Sequence, residues 1–167
     1  MKKARFILFI CILNINFCFT QNEINIDALI DNMTFKINLY NLKTNENIKQ
    51  LTIKQTDSVG IKYTIGVSTL LAIDNYQILN TDTFSKFHYT PTKLETDEYV
   101  KNKIKYIIHK AGFLVPKRKG KLKIKAKTIV LNIKKPTLKK DIFGSSLYEQ
   151  TLTRIKMKNK KLIFHAE

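Results

Sequence analysis

Past Cys18 the chain contains no cysteine, and tryptophan is absent throughout. The body of the protein therefore forms no disulfide and no cysteine metal site, and its stability rests on core packing. Glycine is sparse and isolated. Gly60, Gly66, Gly112, Gly120 and Gly144 never cluster, which excludes a glycine-rich phosphate loop. The three histidines, His88, His109 and His165, are far apart in sequence, whereas a zinc site needs several ligands to converge. Ser145 and Ser146 follow Gly144 without a nucleophile elbow or an evident base. Asp97 and Glu98 are adjacent, hence on opposite faces of a strand, and cannot work as a paired acid and base. The expectation is a non-enzyme with no catalytic residue, no metal and no cofactor.

Acidic residues are the next shortage. The chain has 30 Lys and Arg against 13 Asp and Glu, a net charge of +17, and the imbalance is local. Gln21 to Val100 holds 7 basic and 10 acidic residues, while Lys101 to Glu167 holds 20 and 3. AT-rich codon usage accounts for abundant lysine but not for vanishing acids. The second half is thus either a surface facing a polyanion or a tolerant solvated face.

Long apolar runs are missing except at the start. Lys2, Lys3 and Arg5 precede the apolar stretch Phe6 to Phe19, and Cys18-Phe19-Thr20 offers a cleavage site before Gln21. The run is 14 residues, short of the roughly 20 a bilayer-spanning helix needs. Residues 1–20 are expected to be a cleavable signal peptide, and residues 21–167 a single periplasmic or secreted domain. An uncleaved anchor is the alternative; a lipoprotein acylated at Cys18 would want a small residue where Phe17 stands.

What is present is strand. Lys121, Lys123, Lys125 and Lys127 alternate with Leu122, Ile124, Ala126 and Thr128, giving one apolar and one basic face on an extended chain. Ile129-Val130-Leu131 then reads as a strand covered on both sides. Pro116 and Gly120 punctuate the start of this stretch and Pro136 its end. Further strands are predicted at Thr34–Leu42, Leu51–Thr56, Ile61–Ile65 (Ile61, Tyr63 and Ile65 sharing a face), Leu70–Leu79 with an interruption at Asp74-Asn75, and Phe84–Thr90 ending before Pro91. Thr151–Met157 and Leu162–His165 follow a loop from Lys139 to Ser146. Glu23–Met33 reads as a lead-in strand or a helical turn.

Asp97–Gly112 admits two readings. As a helix it gathers Val100, Ile104, Ile107, Ile108 and Ala111 on one face. As a strand it sets Val100, Ile104, Tyr106 and Ile108 opposite Lys101, Lys103 and Lys105. The density of Ile, Val and Tyr favours strand; the strand would run on through Phe113-Leu114-Val115 with Gly112 at a bulge. Pro116 to Gly120 would then close a hairpin onto the lysine strand. The fold expectation is an all-β, Ig-like antiparallel sandwich of about seven to nine strands.

Tyr99–Glu167 resembles one Ig-like repeat of the BatD-like oxygen tolerance (aerotolerance) family of bacterial envelope proteins. The resemblance is carried by Val100-Lys-Asn-Lys-Ile-Lys-Tyr and Phe113-Leu-Val-Pro-Lys-Arg-Lys-Gly-Lys-Leu-Lys-Ile. It continues through the strand ending at Ile133, the loop Asp141-Ile-Phe-Gly-Ser and the closing Lys160-Lys-Leu-Ile-Phe-His-Ala. It implies a non-enzymatic module acting by protein–protein contact in an oxidative or envelope stress complex, with von Willebrand A-type membrane proteins among its partners. The rival reading comes from the residues themselves. If Lys101, Lys103 and Lys105 pair beside Lys121, Lys123, Lys125 and Lys127, seven ammonium groups share a face suited to lipopolysaccharide or an acidic glycan or lipid. Nucleic acid fits the expected compartment less well. The plain alternative is that these lysines only deter edge-to-edge aggregation.

Overall fold

The computed structural model describes residues 24–48, 52–79 and 84–167. The expected signal peptide, with Cys11, Cys18 and the Thr20–Gln21 junction, lies outside the described residues.

Within the segment expected as a lead-in strand or helical turn lies a short helix, α1 (Ile26–Asp31). It is capped by Asn25, whose Oδ1 accepts from the Ala28 N–H at 3.0 Å. Twelve strands follow among the described residues: β1 (Thr34–Asn41), β2 (Thr52–Ile53), β3 (Val59–Ser68), β4 (Ala72–Leu79), β5 (Phe87–Lys101), β6 (Ile104–Pro116), β7 (Gly120–Ile124), β8 (Thr128–Lys134), β9 (Pro136–Lys140), β10 (Ser146–Tyr148), β11 (Thr153–Lys158) and β12 (Leu162–Ala166).

The first sheet has the order β1-β3-β6-β5 and the second β11-β8-β4, continued by β2-β12-β7. With β1, β3, β4, β5, β6, β7–β8 and β11–β12 taken as strands A to G, this is A-B-E-D facing C-F-G, the constant-type immunoglobulin arrangement. The chain is a β-sandwich, antiparallel except where the short β2 pairs with β12 in parallel. Ile61, Ile65 and Leu114 of one sheet and Leu122, Ile124, Ile129, Leu131 and Ile133 of the other are fully buried between them. Phe87 and Phe164 meet across the core with ring centroids 5.4 Å apart. With no disulfide among these strands, burial of this apolar area is the main favourable term.

Asp97–Gly112 is strand, and it turns back on itself. Asn102 and Lys103 both adopt positive φ, 52° and 60°, as a two-residue hairpin turn requires. The turn pairs Val100 with Lys105 on one face, so those two do not oppose each other as a single straight strand would have them. The bulge falls where Gly112 suggested. Ala111 is the extra residue between Gly112 and Lys110, and a Cβ on Gly112 would lie 2.3 Å from the Thr90 carbonyl oxygen. The strand beginning near Phe84 does not stop before Pro91; it runs to Lys101, because Pro91 sits on an edge strand where its missing N–H costs no ladder bond.

The expected Pro116–Gly120 hairpin onto the lysine strand does not form. Strand β6 already has β3 and β5 on its two edges, leaving no free hydrogen-bonding side, so Lys117–Lys119 carries the chain to the opposite sheet. There it pairs with the end of the chain. Lys121↔His165, Thr128↔Lys158, Ile133↔Thr153 and Lys140↔Ser146 all fall on one register line. Residues 120–166 are therefore one long hairpin, interrupted twice.

The interruption at 125–127 has a cause legible in the pattern. Core residues are even-numbered in β7 (Leu122, Ile124) but odd-numbered in β8 (Ile129, Leu131, Ile133). A continuous strand cannot hold both sets inward. The chain changes phase between Ile124 and Thr128, and its partner changes phase opposite, at 159–161.

Candidate functional site

The phase change decides which lysines reach solvent. Lys121, Lys123 and Lys125 alternate with buried Leu122 and Ile124 and are exposed on the outer face of β7. Lys127 keeps the phase of Ile129, Leu131 and Ile133 and is fully buried. It is not part of any exposed basic face, which corrects the sequence reading. Its Nζ lies 4.5 Å from the centroid of the Phe84 ring, a cation–π distance. Its backbone N–H donates to Asn159 Oδ1 at 2.5 Å, and its carbonyl accepts from the Asn159 N–H at 3.1 Å. Asn159, itself buried, so bridges the two strands where regular pairing lapses.

Lys101, Lys103 and Lys105 are not beside the β7 lysines either. They stand at the β5–β6 turn of the other sheet, and Lys105 is separated from Pro116 by about 35 Å of strand at about 3.3 Å per residue. Lys105 Nζ is 2.7 Å from Glu98 Oε2. Lys110 is likewise matched, 3.1 Å from Glu95 and 3.7 Å from Asp97; the hydrogen bond to Glu95 foremost holds its pKa above the ordinary lysine value. Asp97 and Glu98 do face opposite ways, one toward Lys110 and the other toward Lys105.

The partners that Lys121, Lys123 and Lys125 acquire are Arg154, Lys156, Lys158 and Lys161. The first three are exposed on β11, alternating with half-buried Ile155 and Met157, and Lys161 is exposed just before β12. The single register line puts all seven on the outer face of the second sheet. Lys121, Lys123 and Lys125 lie on and just past β7, Lys161 immediately precedes Leu162, the partner of Ile124, and Lys158, Lys156 and Arg154 continue the row on the neighbouring strand. Successive cations on one strand are about 6.6 Å apart, and the row spans about 35 Å. The exposed ion pairs fall on Lys105, Lys110 and Lys134 instead. Among the described residues, none of the seven has a carboxylate within salt-bridge distance. The alternation Thr153-Arg-Ile-Lys-Met-Lys was a readable sign of this second row, but adjacency to β7 follows only from the pairing.

The histidines do not converge. His88 and His165 each follow one member of the contact pair Phe87 and Phe164 by one residue, which sends them to opposite outer faces of the sandwich. His109 points inward between Tyr63 and Tyr76, each 6.3 Å away ring to ring. Burial holds its pKa below the ordinary histidine value, and its Nδ1 has no hydrogen-bond partner among the described residues. Burial also pushes the Tyr63 phenol up to about 12. These are core groups.

The motif residues of the BatD-like resemblance divide in two. Pro116, Leu122 and Ile124 are buried and Gly120 adopts φ +99°, so this part builds the sandwich. Phe143 and Ile142, in the loop part, are almost wholly exposed. No helix among the described residues is long and apolar enough to cross a membrane. Searches against family models, curated proteins and solved structures returned no match.

Proposed function

We propose that this chain is a non-enzymatic Ig-like binding module that works outside the cytoplasm, through the outer face of its second sheet. The observation that supports the reading is the row of seven cations from Lys121 to Arg154 with no carboxylate among them. Like charges gathered on one face of a sheet repel one another and cost folding energy, in part screened by salt. A bound anion relieves that cost.

The first reading of the partner is an acidic face on another envelope protein, in line with the BatD-like resemblance and its expected oxidative or envelope stress setting. Such a complex combines charge with apolar or mixed contact and tolerates moderate salt. The length of the row, about 35 Å of like charge, favours a second reading, a linear polyanion such as an acidic glycan or lipopolysaccharide. Heparin serves as the probe. For a linear polyanion engaging all seven cations, the logarithm of affinity falls against the logarithm of salt with a slope of about −5. Lys123→Glu with Lys156→Glu should abolish heparin binding, whereas Lys101→Glu with Lys103→Glu should leave it nearly intact. A flat salt response together with recovery of a discrete protein from envelope extracts selects the first reading. If the Lys123→Glu/Lys156→Glu protein still binds both kinds of partner normally, this face is not the site.

A further inference from the structure

Among the described residues, strands β9 and β10 pair only with each other and extend the long hairpin beyond the sandwich as an arm. At its tip Ile142 and Phe143 are 92% and 84% exposed, the two highest values among the large hydrophobic residues described. Leu138 and Leu147 on the arm are exposed as well. The tip is held in shape rather than left loose. Asp141 Oδ1 accepts from the Phe143 and Ser145 N–H groups at 2.9 and 2.8 Å. The Gly144 N–H donates to the Asp141 carbonyl at 3.1 Å, and the Asp141 N–H donates to the Ser145 carbonyl at 3.0 Å. Gly144, at φ +81°, permits the turn.

The rest of that end of the sandwich has the same character. The Thr69 N–H donates to the Lys103 carbonyl, joining the corner after β3 to the β5–β6 turn, and Ala72 pairs with Lys134 at the root of the arm. Tyr99, Val100 and Leu70 are exposed there, with Lys101, Lys103, Lys139 and Lys140 exposed around them. The acids nearby are mostly engaged: Glu98 by Lys105, Asp74 by Lys134, and Asp141 by the tip's own N–H groups.

We propose that this end of the molecule is a membrane-interfacial anchor. Ile142 and Phe143 enter the headgroup–acyl boundary of an anionic bilayer, and Lys139 and Lys140 meet lipid phosphates. Three features select a bilayer over a protein pocket. The tip ties four of its backbone N–H groups internally, which lowers the cost of bringing its backbone out of water. Lys139 and Lys140 sit within about 10 Å of the tip, at most three residues of extended chain behind it, which matches the depth of headgroups. The apolar groups project from a narrow arm with flanking cations, as membrane-surface anchors do, rather than forming a patch that a partner could cover. The inference does not depend on what binds the row from Lys121 to Arg154.

Because the chain lacks tryptophan, Phe143→Trp is a single fluorescent reporter of this tip. With vesicles of phosphatidylcholine containing about one third phosphatidylglycerol, its emission should shift to the blue and be quenched by lipids brominated on the acyl chain. Leu42→Trp, in the turn after β1 at the other end of the sandwich, should show neither change. In flotation with the same vesicles, Ile142→Ser with Phe143→Ser should weaken binding by about ten-fold or more, and Lys139→Glu with Lys140→Glu should weaken it several-fold. Melting temperatures should stay unchanged, since these side chains are exposed. No vesicle binding by the parent chain overturns the proposal. So does binding that the double serine variant retains, or that leaves the emission of the Phe143→Trp reporter unmoved, since either would assign the contact to the cationic row alone.

Discussion

The β5–β6 pair of the first sheet and the β7–β11 side of the second treat charge in opposite ways. In the first, Lys105 and Lys110 on β6 reach Glu98, Glu95 and Asp97 on β5, so cation and anion sit on neighbouring strands and neutralise each other. In the second, apart from the Lys134–Asp74 pair between β8 and β4, β7, β11 and Lys161 just before β12 bring cation beside cation. Surface ion pairs of the first kind contribute little to stability, typically about 0–1 kcal/mol, and they leave little charge for a partner to read. The second arrangement is locally unfavourable and persists because the inner faces of the same sheet bury Leu122, Ile124, Ile129, Leu131 and Ile133. A surface that costs folding energy and is carried by a well-packed core is where recognition is to be sought.

Substitutions can test where this contrast comes from. The largest effect should come from the core that underwrites the second sheet. Leu131→Ala is expected to remove about 2–5 kcal/mol in denaturant unfolding, while Lys156→Ala on the outer face of the same sheet should stay within about 0.5 kcal/mol of the parent. Equal losses would mean that the row is structural. Next is the join between the hairpin's two phases. Asn159→Ala leaves the Lys127 N–H and the Lys160 carbonyl without their side-chain partner and should cost about 1–3 kcal/mol, with hydrogen exchange quickening first around 125–127.

Smaller shifts probe the charges themselves. Lys125→Glu places a carboxylate among the cations of the row and should stabilise the protein by about 0.2–1 kcal/mol, whereas Glu98→Gln in the first sheet should destabilise it by no more than about 1 kcal/mol. Opposite signs at the two sheets are the expected result; a destabilising Lys125→Glu would contradict it. The slightest effect is on pH dependence. Burial lowers the pKa of His109 in the fold below 6.5, so the folded chain binds a proton less readily than the unfolded one. The contribution of neutral His109 is whole above that value and is lost as pH falls through the folded pKa. Melting temperature should therefore fall less between about pH 7 and pH 5 in His109→Phe than in the parent, and an identical slope would remove His109 from the account.

Much of the fold was readable. Alternation at Ile61, Tyr63 and Ile65, the interruption at Asp74-Asn75, the bulge beside Gly112 and the final two strands all follow from period and turn chemistry. The errors share a cause. Asn102-Lys103 carries no glycine and so gave no turn signal, yet a two-residue hairpin with positive φ at both positions forms because β5 and β6 pair along their length. Pro91 reads as a strand end, but an edge position tolerates it. Lys127 matches the exposed lysines in composition and spacing, and only the phase of the residues after it placed it inside. For the site, Lys121, Lys123 and Lys125 were identified correctly as outward, while the other half of the row was assigned to the wrong strands.

Residue order alone determined that this chain would be β almost throughout, that residues 120–124 would present lysine outward and aliphatics inward, and that acids would be scarce in the second half. Those are consequences of local period and composition, which act within a strand. Which strands lie side by side was decided by the tertiary structure. With β3 and β5 occupying both edges of β6, the lysine strand had to pair with the C-terminal strands instead, and that choice, not the lysines themselves, assembled the cationic row.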